Sequence, residues 1–176
     1  MNKLIKAIRH PRLVLAFLLA HFGGWLSDEF YLRCMFRLRL KKRLDLEHPQ
    51  TFNEKLQWLK LYNRNPKYIQ LVDKAAVKDY FAKTVGEQYL IPTLGIYDTV
   101  DEIDFDALPN QFVLKCTHDS GGMVFCRDKS QLDIPNAKKR LRDGLKRNYY
   151  KFNREWPYKH LKPRIIAEQY MVDECG

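Results

Sequence analysis

Gln111-Phe112-Val113-Leu114-Lys115-Cys116-Thr117, His118-Asp119-Ser120-Gly121-Gly122 and Met123-Val124-Phe125-Cys126-Arg127 follow one another without a break. The outer parts are rich in β-branched, aromatic and thiol side chains and the centre carries Ser-Gly-Gly, so the stretch predicts two strands joined in a hairpin. In the first strand Lys115 alternates with Leu114 and Cys116 and shares the face of Val113 and Thr117. A cation there needs solvent or an anion, because an unpaired buried charge is costly. Gly121 and Gly122 admit a ligand without Cβ obstruction, and successive amides in such a turn form an anion-binding concavity. Phosphate is the obvious anion; the plainer alternative is an edge-strand lysine in an ordinary hairpin.

Working outward, Pro135 opens a run in which Ala137, Leu141, Leu145 and Tyr149 recur every four residues, which predicts a helix. Its other faces carry Lys138, Lys139, Arg140, Arg142, Lys146 and Arg147 and are expected to be solvated. An aromatic and basic connection follows, and Ile165-Ile166-Ala167-Glu168-Gln169-Tyr170-Met171 reads as a last strand. Upstream, Tyr89 to Tyr97 is β-rich but interrupted by Pro92, which predicts a short or edge strand. Tyr68, Val72, Ala76 and Tyr80 make one stripe and predict a helix running to about Lys83. Thr51-Phe52-Asn53-Glu54 fits a capping box at the start of another.

The chain has 176 residues, 45% of them hydrophobic and 30% charged, which suits one folded domain and not a disordered or low-complexity chain. Its net charge of +10 is unevenly spread: residues 1–43 hold ten basic and two acidic residues. Such polarity favours polyanions, phosphorylated small molecules or an anionic membrane surface. Lys3, Lys6, Arg9 and Arg12 precede the apolar run Leu13 to Ala20, which is too short to span a bilayer and lacks a small-x-small cleavage site. A basic amphipathic helix ending near Gly23-Gly24 is expected, then a second from about Asp28 to Lys42. These helices either lie on anionic lipid with Phe22 and Trp25 at the interface or pack on the domain. Cys34, Cys116, Cys126 and Cys175 form no CxxC pair and no zinc spacing, so no metal site is expected and a reducing, cytoplasmic setting is the default. Cys116 and Cys126 are placed to face one another across the hairpin.

Walker A, GxGxxG and GxSxG motifs are absent. The order Asp73-Lys74, the Leu90-Ile91-Pro92 segment, Phe112 to Lys115, the glycine loop and Ile165 to Glu168 resembles the ATP-grasp superfamily. The phrases Thr51-Phe52-Asn53-Glu54-Lys55-Leu56-Gln57-Trp58-Leu59-Lys60, Leu71-Val72-Asp73-Lys74, Lys115 to Gly122 and Arg154-Glu155-Trp156-Pro157-Tyr158-Lys159 are similar to its teichuronopeptide-biosynthesis, TupA-like branch. The resemblance covers about Leu44 to Met171. It implies an α+β chain in three parts: a basic helical segment over 1–43, a helical region over 44–110, and a partial ATP-grasp nucleotide-binding subdomain over 111–176 with a β-hairpin phosphate flap.

The resemblance further implies that Lys74 and Lys115 bind ATP phosphates and that His118, Asp119, Ser120, Gly121 and Gly122 form the flap. Glu168 would accept from the adenine amino region, with Gln169, Tyr170 and Met171 as hinge and pocket wall. Mg²⁺ is expected in the family, with acidic ligands downstream of the hinge; this departure predicts a truncated product, Asp173 and Glu174 being hinge-following or ribose-side residues. Members often sit in cell-surface polysaccharide pathways, which implies ATP-dependent ligase chemistry on a polysaccharide precursor. Arg154, Trp156, Tyr158 and Lys159 are weaker candidates for holding a sugar. Two other readings stay open: a glycosyltransferase, whose Asp-x-Asp signature has only the match Asp104-Phe105-Asp106, and a basic module for lipid surfaces or nucleic acid, nucleic acid being disfavoured.

Overall fold

The computed structural model describes residues 10–172, so Lys3, Lys6, Arg9, Asp173, Glu174 and Cys175 lie outside the described residues. The elements are α1 (Pro11–Phe22), α2 (Asp28–Leu40), α3 (Phe52–Tyr62), α4 (Lys67–Val72), α5 (Ala76–Thr84), β1 (Thr93–Tyr97), β2 (Phe112–Cys116), β3 (Val124–Cys126), α6 (Ile134–Leu145), α7 (Tyr149–Asn153) and β4 (Ile165–Gln169). This mixture of helix with an antiparallel sheet is the expected α+β class. Two compact units form, one from Met1–Asn65 with Asn148–Lys159 and the other from Pro66–Arg147 with His160–Gly176.

In the first unit, Pro11 opens α1, where its fixed φ and missing N–H cost nothing. Ser27 caps α2, whose first turn carries Asp28 and Glu29 and whose last turn carries Arg37 and Arg39, matching the helix dipole at both ends. The capping box at α3 is present: the Glu54 amide donates to Thr51 Oγ1 at 3.3 Å, and the Thr51 amide donates to Glu54 Oε2 at 2.8 Å. The core joins Ala16, Tyr31, Leu32, Met35, Phe36, Leu44 and Leu46. Arg154 is buried among these elements, its Nη2 donating to the Gly23 carbonyl at 2.8 Å and its guanidinium 4.3 Å from the Tyr31 ring centroid.

In the second unit the strands lie in the order β1-β4-β2-β3, every pairing antiparallel. The last strand is therefore central, and β1, which starts just after Pro92, is an edge. One sheet face, with Phe112, Leu114, Cys116, Ile165 and Ala167, packs under Ala137 and Leu141 of α6. A Cβ on Gly144 would lie 2.8 Å from Cys116 Sγ, so only glycine lets α6 sit this close. Val100, Ile103, Phe105 and Leu108, from the connection between β1 and β2, complete this core. Lys129 Nζ ties that connection down by donating to the carbonyls of Phe105 (3.0 Å), Asp106 (2.9 Å) and Leu108 (2.6 Å).

Three sequence-based expectations are corrected. The stripe from Tyr68 to Lys83 is two helices, because Asp73 adopts an extended ψ and its Oδ1 accepts from the amides of Ala75 (2.8 Å) and Ala76 (3.2 Å), restarting the helix there. Tyr149 is outside α6, since Asn148 caps the separate α7. Cys116 does not face Cys126: the register opposes Cys126 to Phe112, four positions away, and each thiol donates to its own carbonyl, of Leu141 and Asn110 respectively. Asp104 is a turn former, its Oδ1 accepting from the amides of Asp106 and Ala107 at 3.0 and 3.2 Å, while Phe105 is buried. The Asp-x-Asp match is thus part of a turn.

Candidate functional site

The sheet face turned away from α6 carries Val113 and Lys115 of β2 beside Glu168 and Ile166 of β4. Period-two alternation puts them there: Val113 pairs with Glu168, Lys115 with Ile166, and Thr93 of β1 pairs with Glu168 from the other side. Lys115 Nζ forms an ion pair with Glu168 Oε2, and Lys78 Nζ, from α5, lies 2.6 Å from Glu168 Oε1. Lys78 also donates to the Ile91 carbonyl at 2.6 Å and to Thr93 Oγ1 at 2.9 Å. Burial alone would push the Glu168 carboxyl up, but the hydrogen bonds and charges of Lys115 and Lys78 outweigh it and hold the group below the usual carboxylate range. Glu168 is thus a counter-ion that sets the positions of two lysines.

Lys74 reaches the same end of β2 by a different route. The turn that Asp73 imposes lets the Lys74 amide donate to the Thr117 carbonyl at 3.0 Å. Its Nζ donates to the Thr117 carbonyl at 3.4 Å and to that of Asp119. Burial, and after it the neighbouring Lys115 charge, pull the Lys74 ammonium below the ordinary lysine value, against the attraction of Asp119 and Asp73. Lys74 thus stands at the end of β2 next to Lys115, whose charge disfavours the Lys74 ammonium. Arg164 Nη2, 3.3 Å from Asp73 Oδ2, and the Thr117 amide, donating to the Arg164 carbonyl at 2.8 Å, fix the turn on the chain that enters β4.

The loop is anchored at its start and open at its tip. Thr117, His118 and Asp119 are buried, Ser120 is exposed, and Gly121 and Gly122 are half-buried. Asp119 Oδ1 accepts from the Gly121 amide at 2.9 Å, and Oδ2 pairs with Arg147 Nη1 at 3.1 Å. Gly122 has φ +71°, a conformation that favours glycine. His118 Nε2 is 3.0 Å from the Arg147 carbonyl, and burial, followed by the nearby Lys74 charge, keeps the imidazole below its ordinary pKa in spite of that contact and Asp119. The Thr117 hydroxyl and His118 Nδ1 are buried without a protein partner. The Cys116 thiol is pushed up to about 11, chiefly by burial and next by Asp119, which disfavours the thiolate.

The remaining expected residues divide by location. Gln169 ends β4, its amide donating to the Pro92 carbonyl at 3.0 Å; its side chain alternates to the face opposite Glu168. Tyr170 accepts from Arg127 Nε at 2.9 Å, and with Gln169 it lines an open hollow of about 520 Å³ beside Leu94 and Pro109. Met171 is exposed. Arg154, Trp156, Tyr158 and Lys159 belong to the other compact unit, where Arg154 is a buried structural cation, Tyr158 stacks near Tyr149 and Lys159 sits over the Tyr150 ring. They are not gathered with Lys74 and Lys115 in one unit.

Lys78 and Arg147 escape the sequence reading. Lys78 lies in α5 with no motif around it, and Arg147 sits among six basic residues assigned to a solvated face, whereas it pairs with buried Asp119. Mg²⁺, which the resemblance implies, does not fit the residues present. Glu168 is matched by two lysines, Asp119 by Arg147 and the Gly121 amide, and Asp73 by Arg164 and two helix amides. Among the described residues no group of three His, Cys, Asp or Glu side chains is placed to hold a metal ion.

Chemically, the arrangement is a cationic corner: two ammonium groups and a glycine turn, backed by a carboxylate that holds one of them in place. The sequence model of the family described as TupA-like ATPgrasp matches residues 54–176. No curated protein and no solved structure matches the chain.

Proposed function

The chain belongs to the TupA-like ATP-grasp family, and from that premise we propose that it binds ATP with the triphosphate held between Lys74, Lys115 and the loop His118 to Gly122. The observation that carries this reading is the placement of Lys74 Nζ at the carbonyls of Thr117 and Asp119, at the base of that loop and next to Lys115, whose charge disfavours the Lys74 ammonium. A polyphosphate relieves that repulsion, and charge-assisted hydrogen bonds to it are about twice as strong as neutral ones. Gly121 and Gly122 let the backbone approach the phosphates closely, and the edge Gln169 to Met171 is the adenine side.

The chemistry that suits the family is ligation in cell-surface polysaccharide assembly. A substrate carboxylate oxygen attacks the γ-phosphorus, the bond to the β-bridging oxygen breaks, and ADP leaves with that electron pair. An amine then attacks the acyl carbon, phosphate departs, and the nitrogen loses a proton. The protein's share is positioning and charge stabilisation by the lysines.

Isothermal titration of the full chain tests the reading. ATP is expected to bind, and Lys115→Ala to weaken it at least about ten-fold, since a charged hydrogen bond worth about 1.5–3 kcal/mol is removed. Preference for a nucleotide-sugar over ATP, or unchanged ATP affinity in Lys115→Ala, rejects it.

A further inference from the structure

The first compact unit has an outward surface that its own fold does not explain. Between Leu13 and Phe22, α1 carries no Asp, Glu, Lys or Arg. Its inward side is satisfied, with Ala16 buried and Leu19 and Ala20 against the core. Its outward side is also apolar: Leu13 is 57%, Phe17 59% and Phe22 71% exposed, and Trp25, just after the helix, is 84% exposed. Apart from Arg12 and the exposed His21, every residue of α1 after Pro11 is apolar, so the helix presents apolar side chains on both its sides. Isolated exposed hydrophobic residues are ordinary, but Leu13, Val14, Leu15, Phe17, Leu18 and Phe22 are exposed on this one short helix, and Trp25 and Phe30 follow it.

The neighbouring surface is cationic. Beyond the C-terminal half of α2 lies an open hollow of about 710 Å³ lined by Arg33, Arg37 and Arg43, together with Asp45 and Glu47. A second of about 350 Å³, lined by Arg12, Arg37 and Lys41, shares Cys34 and Arg37 with it. Arg33 is paired with Glu29, and Asp45 accepts from the amides of Glu47 and His48. Arg37, Lys41 and Arg43 are exposed. Arg12 begins the apolar helix, so the cationic hollows and the apolar face share one helical hairpin.

The geometry points to an anionic phospholipid bilayer as the partner of this surface, with the outward side chains of α1 and Trp25 at the acyl boundary and Arg12, Arg37, Lys41 and Arg43 among the headgroup phosphates. Charge decides between this and a second copy of the chain. Pairing two copies through residues 10–43 would bring together segments that each hold seven basic and two acidic residues, whereas an anionic leaflet neutralises them. Among the described residues no helix is long and apolar enough to cross a membrane. The contact is therefore a surface one, and it combines the apolar and the polybasic signals that stable peripheral binding requires. It does not depend on the nucleotide reading.

Flotation of the full chain with phosphatidylcholine vesicles, with and without phosphatidylglycerol, tests the proposal. The chain is expected to float with the anionic vesicles at low salt and to be released at high salt. The triple variant Phe17→Ser, Phe22→Ser, Trp25→Ser, which changes only exposed side chains, is expected to lower the bound fraction at least about ten-fold with its thermal melt unchanged. The pair Arg37→Gln, Lys41→Gln should remove the preference for anionic vesicles. Absence of flotation, full binding by the triple variant, displacement by inorganic phosphate at unchanged ionic strength, or a dimer in solution that the triple variant abolishes would each overturn it. Loss of ATP binding in Lys115→Ala with flotation intact bears only on the nucleotide site.

Discussion

Lys115 shows how one side chain acquires its setting from two neighbours at once. It lies on a strand whose other face is core, and its partner Glu168 is buried, so neither charge would be stable alone. Lys78 completes the set at 2.6 Å from the second carboxylate oxygen. His118, a few residues on, makes a pH prediction with a definite sign. Its folded-state pKa is depressed, while in the unfolded chain it titrates near about 6.5. Between those values only the unfolded state takes up the proton, so stability is full above about pH 6.5 and falls as the pH drops below it. Thermal melts at about pH 7 and pH 5 should show this loss, and His118→Gln, which carries an amide donor but no titrating ring, should flatten it. Glu168 does not confuse the test: its carboxyl is also depressed, so its contribution is complete above about pH 4.3 and disappears only below.

At the scale of elements, two glycines hold the hairpin and its covering helix in place. Gly122 has φ +71°, and a Cβ there would lie 3.3 Å from Asp119 Oδ2. Gly122→Ala should cost about 1–2 kcal/mol in denaturant unfolding and weaken ATP binding, because the strain falls on the loop itself. Gly144 is in α6, where replacing glycine by alanine ordinarily gains about 1 kcal/mol of helix propensity. Here the new methyl would meet Cys116 Sγ at 2.8 Å, and overpacking of about 1–3 kcal/mol opposes the gain. Gly144→Ala is therefore expected to lower the melting temperature; a rise would show that α6 can move off the sheet at little cost. The break between α4 and α5 belongs to this scale too. A regular helix through residue 73 would carry the Lys74 amide away from the Thr117 carbonyl, so the Asp73 cap is what brings the lysine to the loop.

For the molecule as a whole, each compact unit has its own core, and all three tryptophans, Trp25, Trp58 and Trp156, belong to the first. Tryptophan fluorescence therefore reports that unit, while far-ultraviolet circular dichroism reports both. Arg154→Ala removes a buried cation beside Asp28, which keeps Arg64 as a partner, and should cost about 3 kcal/mol. The fluorescence-detected urea transition is expected to move to lower denaturant with ATP affinity unchanged; a parallel loss of affinity would show that the two cores act as one. The sequence by itself determined what local chemistry decides: the capped helix starts, the edge position of the strand after Pro92, the hairpin, and the alternation that puts Lys115 opposite the core face. Tertiary structure alone decided which distant groups meet. Lys78 and Glu168 are ninety residues apart in sequence, and Arg147 reaches Asp119 from the end of α6. The physical reason is the sheet order β1-β4-β2-β3. Inserting the last strand between the first and second brings a late carboxylate onto an early lysine, and no local propensity or spacing encodes that pairing.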